Sequence, residues 1–388
     1  MVFPAPRDHT IHQSPLHQVD WNPSNLQFCK NVFTIWRVSD LPCLSKIGLC
    51  FTKCLSWIGG GLLYPLRSLC RRLILPVAHF SEERRNWVNL AWENDWLGGE
   101  RREIAEGSVA ERYTPSRLQI KTPDGAIVNS FFYSCRGQEE NQDIPTFVCF
   151  NGNGTLAQEE MWDWLLQKGL KSNTPFNVVV VDYRTSKDIS ELNRCVLDGM
   201  SVVQVLHEQY GIAKNHIMPI GWSMGGAVAT KVREADPELG NCGNILSYSS
   251  ICDVIQSPII ENFMPPAMPK CLQAKYPLLF IKKVASGLIS LSGWNLDVTR
   301  SIASLDDHVV VVYHPEDRVI PEVASAKKTA SAERVIRMEV KPEKPDDHFH
   351  HLGPLKHYRD AEDHSSVAKK VINMMFERDV FVAEAGVL

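Results

Sequence analysis

One serine in the chain has a setting that favours nucleophilic chemistry. Ser223 lies in the stretch IMPIGWSMGGAVATKV (217–232), with Gly221 and Gly225 two residues to either side and Gly226 next to the second glycine. An apolar run ends at this serine, and a segment of small residues follows it. Because glycine lacks the Cβ atom that collides in a sharp turn, the spacing predicts a tight turn that exposes the serine hydroxyl. A Gly-rich turn with a solvated serine is the structural alternative.

A serine hydroxyl is a weak nucleophile unless a base takes its proton and an acid orients that base. The stretch VVVVYHPEDRVIP places Asp317 just past an apolar run, where a carboxylate can hold one imidazole tautomer. Three other acidic residues lie nearby but suit the role of the acid less well. Glu316 is one residue before Asp317, and Asp306 and Asp307 lie at the other end of the apolar run. An ordinary loop carboxylate that caps the next helix is the alternative role for Asp317.

Candidate bases follow the last strand-like run. The stretch KPEKPDDHFHHLGPLKH carries His348, His350, His351 and His357. His348 comes first after the run and a short loop, so it is the first choice, with His350 and His351 as alternates. An H-x-H-H cluster can also bind a metal ion. No carboxylate or cysteine ligand set accompanies it in the sequence, so we expect neither a metal nor a cofactor.

Acyl transfer at a serine also needs hydrogen-bond donors for the negative oxygen of the intermediate. The backbone N–H of Met224, directly after the serine, is one candidate. The loop NGNGT, which follows the apolar run TFVCF, supplies the second, and the backbone N–H of Asn153 is the candidate there. A plain Gly/Asn turn is the alternative for this loop.

The elements that position these residues alternate along the chain. After Pro115, two strands are predicted around a turn at Pro123-Asp124-Gly125. The later strands are predicted at 146–150, 177–183, 217–222, 244–250, 308–314 and 334–340. Helices are predicted over 189–210, 324–330 and 367–376, and two more are predicted to start near 156 and 224. Unbroken Val/Ile runs are typical of strands buried on both faces, which predicts an α/β fold with a mostly parallel, doubly wound sheet. In such sheets the reacting groups collect beyond the carboxyl ends of the strands.

Strand, serine turn and helix in this order form a nucleophile elbow. From about residue 116 to 376 the chain resembles the α/β-hydrolase superfamily of serine hydrolases, on the motifs FNGNG, VVDYR, GWSMGG, YHPEDRVIP and the histidine cluster. The resemblance implies a nucleophile, an acid, a base and two oxyanion N–H groups at Ser223, Asp317, His348, Asn153 and Met224. Two features depart from the family pattern: Asn151 stands where many members have His, and the usual glycine before the base is missing.

The resemblance also implies a reaction. The chain is similar to membrane-associated members that cleave acyl esters or thioesters, and it resembles an uncharacterised α/β-hydrolase-like family of intracellular bacterial pathogens. It implies a serine hydrolase that cleaves carboxylic ester or thioester bonds through an acyl-enzyme on Ser223. A lid insertion is predicted at about 255–300, and its Met, Phe, Ile and Leu content suits a lipid or other acyl substrate. A membrane-tethered interaction protein without turnover and a peptidase of the same fold are the alternatives.

The charge of the chain is unevenly distributed. The net charge of −4 over 388 residues argues against nucleic acid as a partner. We interpret residues 111–388 as the hydrolase domain. Residues 1–110 form a predicted extension with a helical connector, and 1–80 carry eight Lys/Arg and three Asp, a net of +5. Within it, 43–80 mixes basic, leucine and aromatic residues with cysteines, which fits an interfacial membrane segment, acylated or not. A subdomain packed on the main core is the alternative.

The eleven cysteines form no disulfide or zinc pattern. No C-x-x-C spacing with histidine partners occurs, and Cys149 and Cys195 sit inside apolar runs, where a free thiol packs as a small hydrophobe. The first residues lack a basic segment followed by an apolar core, so no signal peptide is predicted. We therefore expect reduced thiols and a cytoplasm-facing location, free or at a membrane surface.

Overall fold

The computed structural model describes residues 16–18, 112–137, 143–152, 162–171, 174–184, 192–257, 275–291, 294–305, 308–317, 319–340, 355 and 358–376. Several predictions fall outside these residues. They are the N-terminal extension apart from 16–18, the start of the helix near 156, and the site residues Asn153, His348, His350 and His351.

Within the described residues, ten strands form one sheet in the order β1-β2-β3-β5-β4-β6-β7-β8-β9-β10. Their bounds are β1 (Leu16–Gln18), β2 (Tyr113–Lys121), β3 (Ile127–Cys135), β4 (Thr146–Phe150), β5 (Asn177–Asp182), β6 (Ile217–Trp222), β7 (Cys242–Ile245), β8 (Val309–Tyr313), β9 (Val335–Val340) and β10 (Tyr358–Asp360). Neighbouring strands from β5 to β9 along this order run parallel. The hairpin β2–β3 is antiparallel, as is the pairing of β3 with β5 and of β10 with β9.

Helices cover both faces of this sheet. Their bounds are α1 (Asp163–Lys171), α2 (Asn193–Glu208), α3 (Met224–Ala235), α4 (Ile251–Gln256), α5 (Lys275–Leu291), α6 (Thr299–Leu305) and α7 (Val367–Phe376). Side chains of α1 and α7 pack in one hydrophobic cluster, and those of α2, α3 and α6 pack in the other. The sheet is therefore mostly parallel and doubly wound, as predicted.

The unbroken apolar runs are explained by this two-sided burial. In β5, Val178 and Val180 point into the cluster of α1 and α7, whereas Val179 and Val181 point into the cluster of α2 and α3. Because successive side chains of a strand face opposite sides, both sets have to be apolar. Cys149 of β4 is likewise buried with a free thiol, as is Cys195 of α2, which confirms that they pack as small hydrophobes.

Two predicted elements differ from the structure. The strand predicted over 244–250 begins at Cys242 and ends at Ile245, because Leu246 has a positive φ of 47° that breaks the extended chain. The helix predicted over 324–330 is replaced by two short 3-10 turns. Ser325 between them stays extended because it pairs with Tyr248 in an isolated antiparallel bridge.

A buried ion-pair cluster joins the β2–β3 hairpin to the parallel part of the sheet. The guanidinium of Arg184, just after β5, bonds Asp198 of α2 at 2.5 and 2.7 Å. It also bonds Asp124, in the predicted turn, at 2.6 Å, and Arg194 reaches the same carboxylate at 2.6 Å. Burial alone lowers the pKa of Arg184, but Asp198 and Asp124 raise it above its ordinary value, so the charge is kept.

We expect Arg184→Ala to lower the free energy of unfolding by about 3–5 kcal/mol, because it leaves the buried carboxyl group of Asp198 without its partner. The matched control is Arg194→Ala, whose ion pair is partly exposed and is expected to contribute less than about 1 kcal/mol. Urea unfolding of both variants measures the difference. Equal losses in the two variants would contradict the role of Arg184.

Candidate active site

Ser223 is held in a strained backbone conformation between β6 and α3. Its φ of 54° and ψ of −122° are rare for a residue with a side chain. Its N–H donates to Ile245 O at 2.8 Å, and its carbonyl accepts from Gly226 N at 3.0 Å, so both backbone groups are fixed. The hydroxyl does not cap α3 and the residue is half-buried, which leaves the hydroxyl available for chemistry. Strain of this kind costs about 1–3 kcal/mol and is concentrated at functional sites.

The glycines around the serine permit three different close approaches. A Cβ on Gly221 would lie 1.9 Å from the carbonyl oxygen of Gly225, across the turn, as the sequence predicts. A Cβ on Gly225 would lie 2.0 Å from Phe150 O, so this glycine lets α3 approach the end of β4 rather than opening the turn. A Cβ on Gly226 would lie 2.7 Å from the Cβ of Ser247, beyond β7. The turn therefore needs one glycine, and the close packing of the helix needs the other two.

Two backbone segments adjoin Ser223, the start of α3 and the residue after β4. Met224 is the first residue of α3, and a helix leaves its first N–H groups without intrahelical acceptors. On the other side, Gly152 follows β4 and packs so closely that a Cβ there would lie 3.3 Å from the Cβ of Ser223. The predicted second donor, Asn153, is the next residue in the chain and lies outside the described residues.

A buried hydrogen-bond group that the sequence did not indicate holds the start of this loop. The Oδ1 of Asn151 accepts from Trp162 Nε1 at 2.7 Å, and its backbone oxygen accepts from the Tyr183 hydroxyl at 3.1 Å. Burial raises the pKa of Tyr183, so its hydroxyl remains a donor. The motifs FNGNG and VVDYR are thus in direct contact, but no spacing rule pairs their residues.

Asp317 lies in a turn after β8, two strands from Ser223 in the sheet. Its side chain is 4% exposed, and Oδ1 accepts from the N–H groups of Val319 at 2.7 Å and Ile320 at 2.8 Å. Neighbouring strands are about 4.8 Å apart, so the axes of β6 and β8 are separated by roughly 10 Å. Asp317 thus accepts backbone hydrogen bonds as a capping carboxylate does. The two bonds also fix the orientation of the carboxylate.

The two strand ends that flank the histidine segment lie at the edge of the sheet where Ser223 lies. Ser223, Gly152 and Asp317 all follow carboxyl ends of parallel strands. Val340 ends β9 at that edge, and Tyr358 begins β10 opposite Val340 in the antiparallel register. Both residues that flank 341–357 therefore lie at the carboxyl edge, although His348, His350 and His351 themselves are outside the described residues.

His314 is a histidine at this edge that the described residues do contain. It directly follows β8 and is buried. Its Nδ1 accepts a hydrogen bond from the N–H of Glu316 at 3.0 Å. A backbone N–H is always the donor, so this Nδ1 cannot donate to an orienting carboxylate as the base of a triad must. His314 is therefore excluded as a base oriented through Nδ1.

We expect Asp317→Asn to reduce turnover by about 10⁴-fold while the free energy of unfolding changes by less than about 1 kcal/mol. Asparagine keeps an Oδ1 that accepts the two N–H bonds, but it lacks the charge that stabilises an imidazolium. Glu316→Gln, on the exposed neighbouring residue, is the matched control and should retain activity. Steady-state kinetics with thermal unfolding measures both effects. Loss of stability with little loss of turnover would show that Asp317 is only a cap.

The segment between β7 and β8 contains α4, α5 and α6, where the lid is predicted. Its last part is packed in the main core through Trp294, Leu296 and Val298. In the part of the chain that the structure describes, no helix is both long and apolar enough to cross a bilayer. Among the same residues, no group of three or more His, Cys, Asp or Glu side chains is placed to hold a metal ion.

The solved structures to which the chain is similar include esterases, an α/β hydrolase and a post-proline cleaving enzyme. The esterase Pf2001 from Pyrococcus furiosus is 18% identical, over 54% of this chain and 73% of the esterase, with a TM-score of 0.40. An acetyl xylan esterase from Paenibacillus sp. R4 is 12% identical, over 64% and 87% of the two chains, with a TM-score of 0.43. The α/β hydrolase GrgF from Penicillium sp. sh18 is 10% identical, over 68% and 98%, with a TM-score of 0.42.

No protein-family model matches the chain, and no curated protein matches it either. Likenesses at these identities and TM-scores carry no inference about activity. The strand order, the strained serine between β6 and α3 and the glycine loop against it are features of the structure itself. On these features, the chain has the α/β-hydrolase fold, with Ser223 in the tight turn between β6 and α3.

Proposed function

We propose that the protein is a serine hydrolase that cleaves carboxylic ester or thioester bonds through an acyl-enzyme on Ser223. The observation that carries the proposal is the positive φ of Ser223 at the start of α3. A serine with no nucleophilic role gains nothing from this strain, since a glycine fits the same backbone more easily.

The first half-reaction forms the acyl-enzyme. The Oγ of Ser223 attacks the substrate carbonyl carbon, and its proton passes to the base. The negative oxygen of the tetrahedral intermediate accepts from the N–H of Met224, with the dipole of α3 adding to its stabilisation. We assign the second donor to Asn153, because Gly152, directly before it, packs against the serine. Collapse of the tetrahedral intermediate breaks the bond between the carbonyl carbon and the leaving oxygen or sulfur. The leaving alkoxide or thiolate takes the proton from the base.

The second half-reaction releases the acid. Water loses a proton to the same base and attacks the acyl carbon, and the bond to the Oγ of Ser223 breaks as the serine regains a proton. We assign the base to His348 and its orientation to Asp317, whose carboxylate is fixed by two N–H bonds. This sequence of steps needs no cofactor.

The experiment that tests the proposal is a panel of p-nitrophenyl esters and acyl thioesters of increasing chain length. The full-length protein should hydrolyse at least one of them above the rate of Ser223→Ala, prepared in parallel. Rates equal to that variant across the panel would favour an interaction protein that keeps the fold without turnover. A peptidase would instead cleave amide substrates in preference to esters.

A further inference from the structure

Helix α5 exposes large apolar side chains to solvent. Phe280 is 69% exposed, Leu279 45%, Val284 44% and Leu288 39%. Phe280, Val284 and Leu288 are four residues apart and therefore lie along one side of the helix, with Leu279 beside them. We call these four residues the apolar face. Contiguous exposed apolar surface of this kind marks interaction sites.

Three polar side chains of α5, those of Lys282, Ser286 and Ser290, face the protein instead. Lys282 is buried and donates to Ser257 O at 3.0 Å. The thiol of Cys252 in α4 donates to Ser286 O at 3.3 Å and lies 3.2 Å from Ser290 Oγ. These contacts fix the rotation of the helix, so the apolar face points outward. A surface helix with the ordinary orientation has the opposite arrangement.

Helix α5 packs on α4, which begins beyond the carboxyl end of β7. β7 ends at Ile245, and α4, on which α5 packs, begins at Ile251 after a short connection at the carboxyl end of that strand. The connection is fixed to the core, since Ser249 N donates to Ala324 O and Val298 N to Ser249 O, both at 2.8 Å.

We propose that the apolar face docks on a lipid surface with anionic headgroups. Lys283 is the one exposed charged side chain described on α5, and the helix sequence contains no acidic residue. A lysine beside inserted apolar side chains can extend its ammonium group to lipid phosphates while its stem stays in the apolar layer. The charge and the apolar surface of this face thus fit the same partner.

A second copy of the chain fits the face less well. In a two-fold contact the same patch meets itself, so each Lys283 would face a surface that has a lysine and no carboxylate on α5. Burying that cation without a partner opposes the association. The lipid surface satisfies the lysine, whereas the self-contact does not.

Flotation of the full-length protein with phosphatidylcholine vesicles, with and without phosphatidylglycerol, tests the proposal. The double variant Phe280→Ser/Val284→Ser should partition at least about tenfold more weakly, and Leu288→Ser, at the other end of the face, should weaken binding independently. Lys283→Gln should weaken binding about fivefold on the anionic vesicles only. The matched control is Ile127→Ser, because Ile127 is 50% exposed on β3, far along the sheet from α5.

Two further arms separate this surface from other contributions. At about 1 M salt, where the Debye length is about 3 Å, binding through a basic segment is screened and the loss in the double variant should persist. Ser223→Ala should float like the wild type, so docking and turnover succeed or fail separately.

Wild-type protein that does not float, or a double variant that floats equally well, would overturn the proposal. So would a wild-type dimer in lipid-free solution that Phe280→Ser/Val284→Ser dissociates, because the face would then be a contact between copies.

Discussion

Replacement of Ser223 by alanine is expected to reduce ester hydrolysis by about 10³–10⁶-fold, because it removes the atom that forms the acyl-enzyme. The fold should persist, since the hydroxyl makes no capping bond with α3 and the contacts of the elbow are made by backbone atoms. Steady-state rates on the best ester of the panel, with circular dichroism of the same preparations, measure the effect.

Two companion variants make this result specific. Ser223→Gly should be equally inactive but more stable than Ser223→Ala by about 1 kcal/mol, because glycine tolerates the positive φ. Ser247→Ala changes another serine beside α3, whose buried hydroxyl has no hydrogen-bond partner among the residues that the structure describes. Activity should stay within about twofold. Retention of activity in Ser223→Ala would remove Ser223 as the nucleophile.

Replacement of His348 by alanine is expected to lower turnover by about 10³–10⁶-fold, because without a base the serine hydroxyl stays protonated. His350→Ala and His351→Ala are the matched controls, two and three residues away, and they should have much smaller effects. The pH dependence of kcat/KM provides a second measurement. In the wild type, kcat/KM should fall at low pH as the imidazole of the base is protonated, and this fall should be absent in His348→Ala.

A large loss of turnover in His350→Ala or His351→Ala, with His348→Ala active, would assign the base to that other histidine. The serine mechanism would stand, because any of the three histidines belongs to the loop whose ends, Val340 and Tyr358, lie at the carboxyl edge. Full activity in all three variants would instead exclude this segment as the source of the base.

The parts of the fold that follow from periodicity could be predicted from the sequence. The valine run of β5 indicates a strand buried on both faces, and the glycines at 221 and 225 indicate a serine turn between strand and helix. These signals are local, because a strand period or a missing Cβ is visible within a few residues. The order of the elements then places Ser223 and Asp317 at the carboxyl edge of the sheet.

The parts that depend on distant partners could not be predicted in this way. Arg184 is paired with Asp124, which lies 60 residues earlier, and the backbone oxygen of Asn151 is bonded by Tyr183, 32 residues later. Ser325 reads as part of a helix from its neighbours, but its bridge to Tyr248 keeps it extended. Likewise, the outward apolar face of α5 follows from polar contacts with α4 that no helical pattern shows.

Reaction with a fluorophosphonate tests the assembled site most directly. Attack by an activated serine forms an Oγ–P bond and releases fluoride, so the adduct requires a nucleophile, a base and an oxyanion hole in place, but not the correct substrate. Intact-mass and peptide mass spectrometry of the labelled full-length protein should find one stoichiometric adduct on Ser223, and Ser223→Ala should stay unlabelled. An unlabelled wild type, or an adduct that persists in Ser223→Ala, would contradict the assignment of Ser223 as the nucleophile of a working hydrolase.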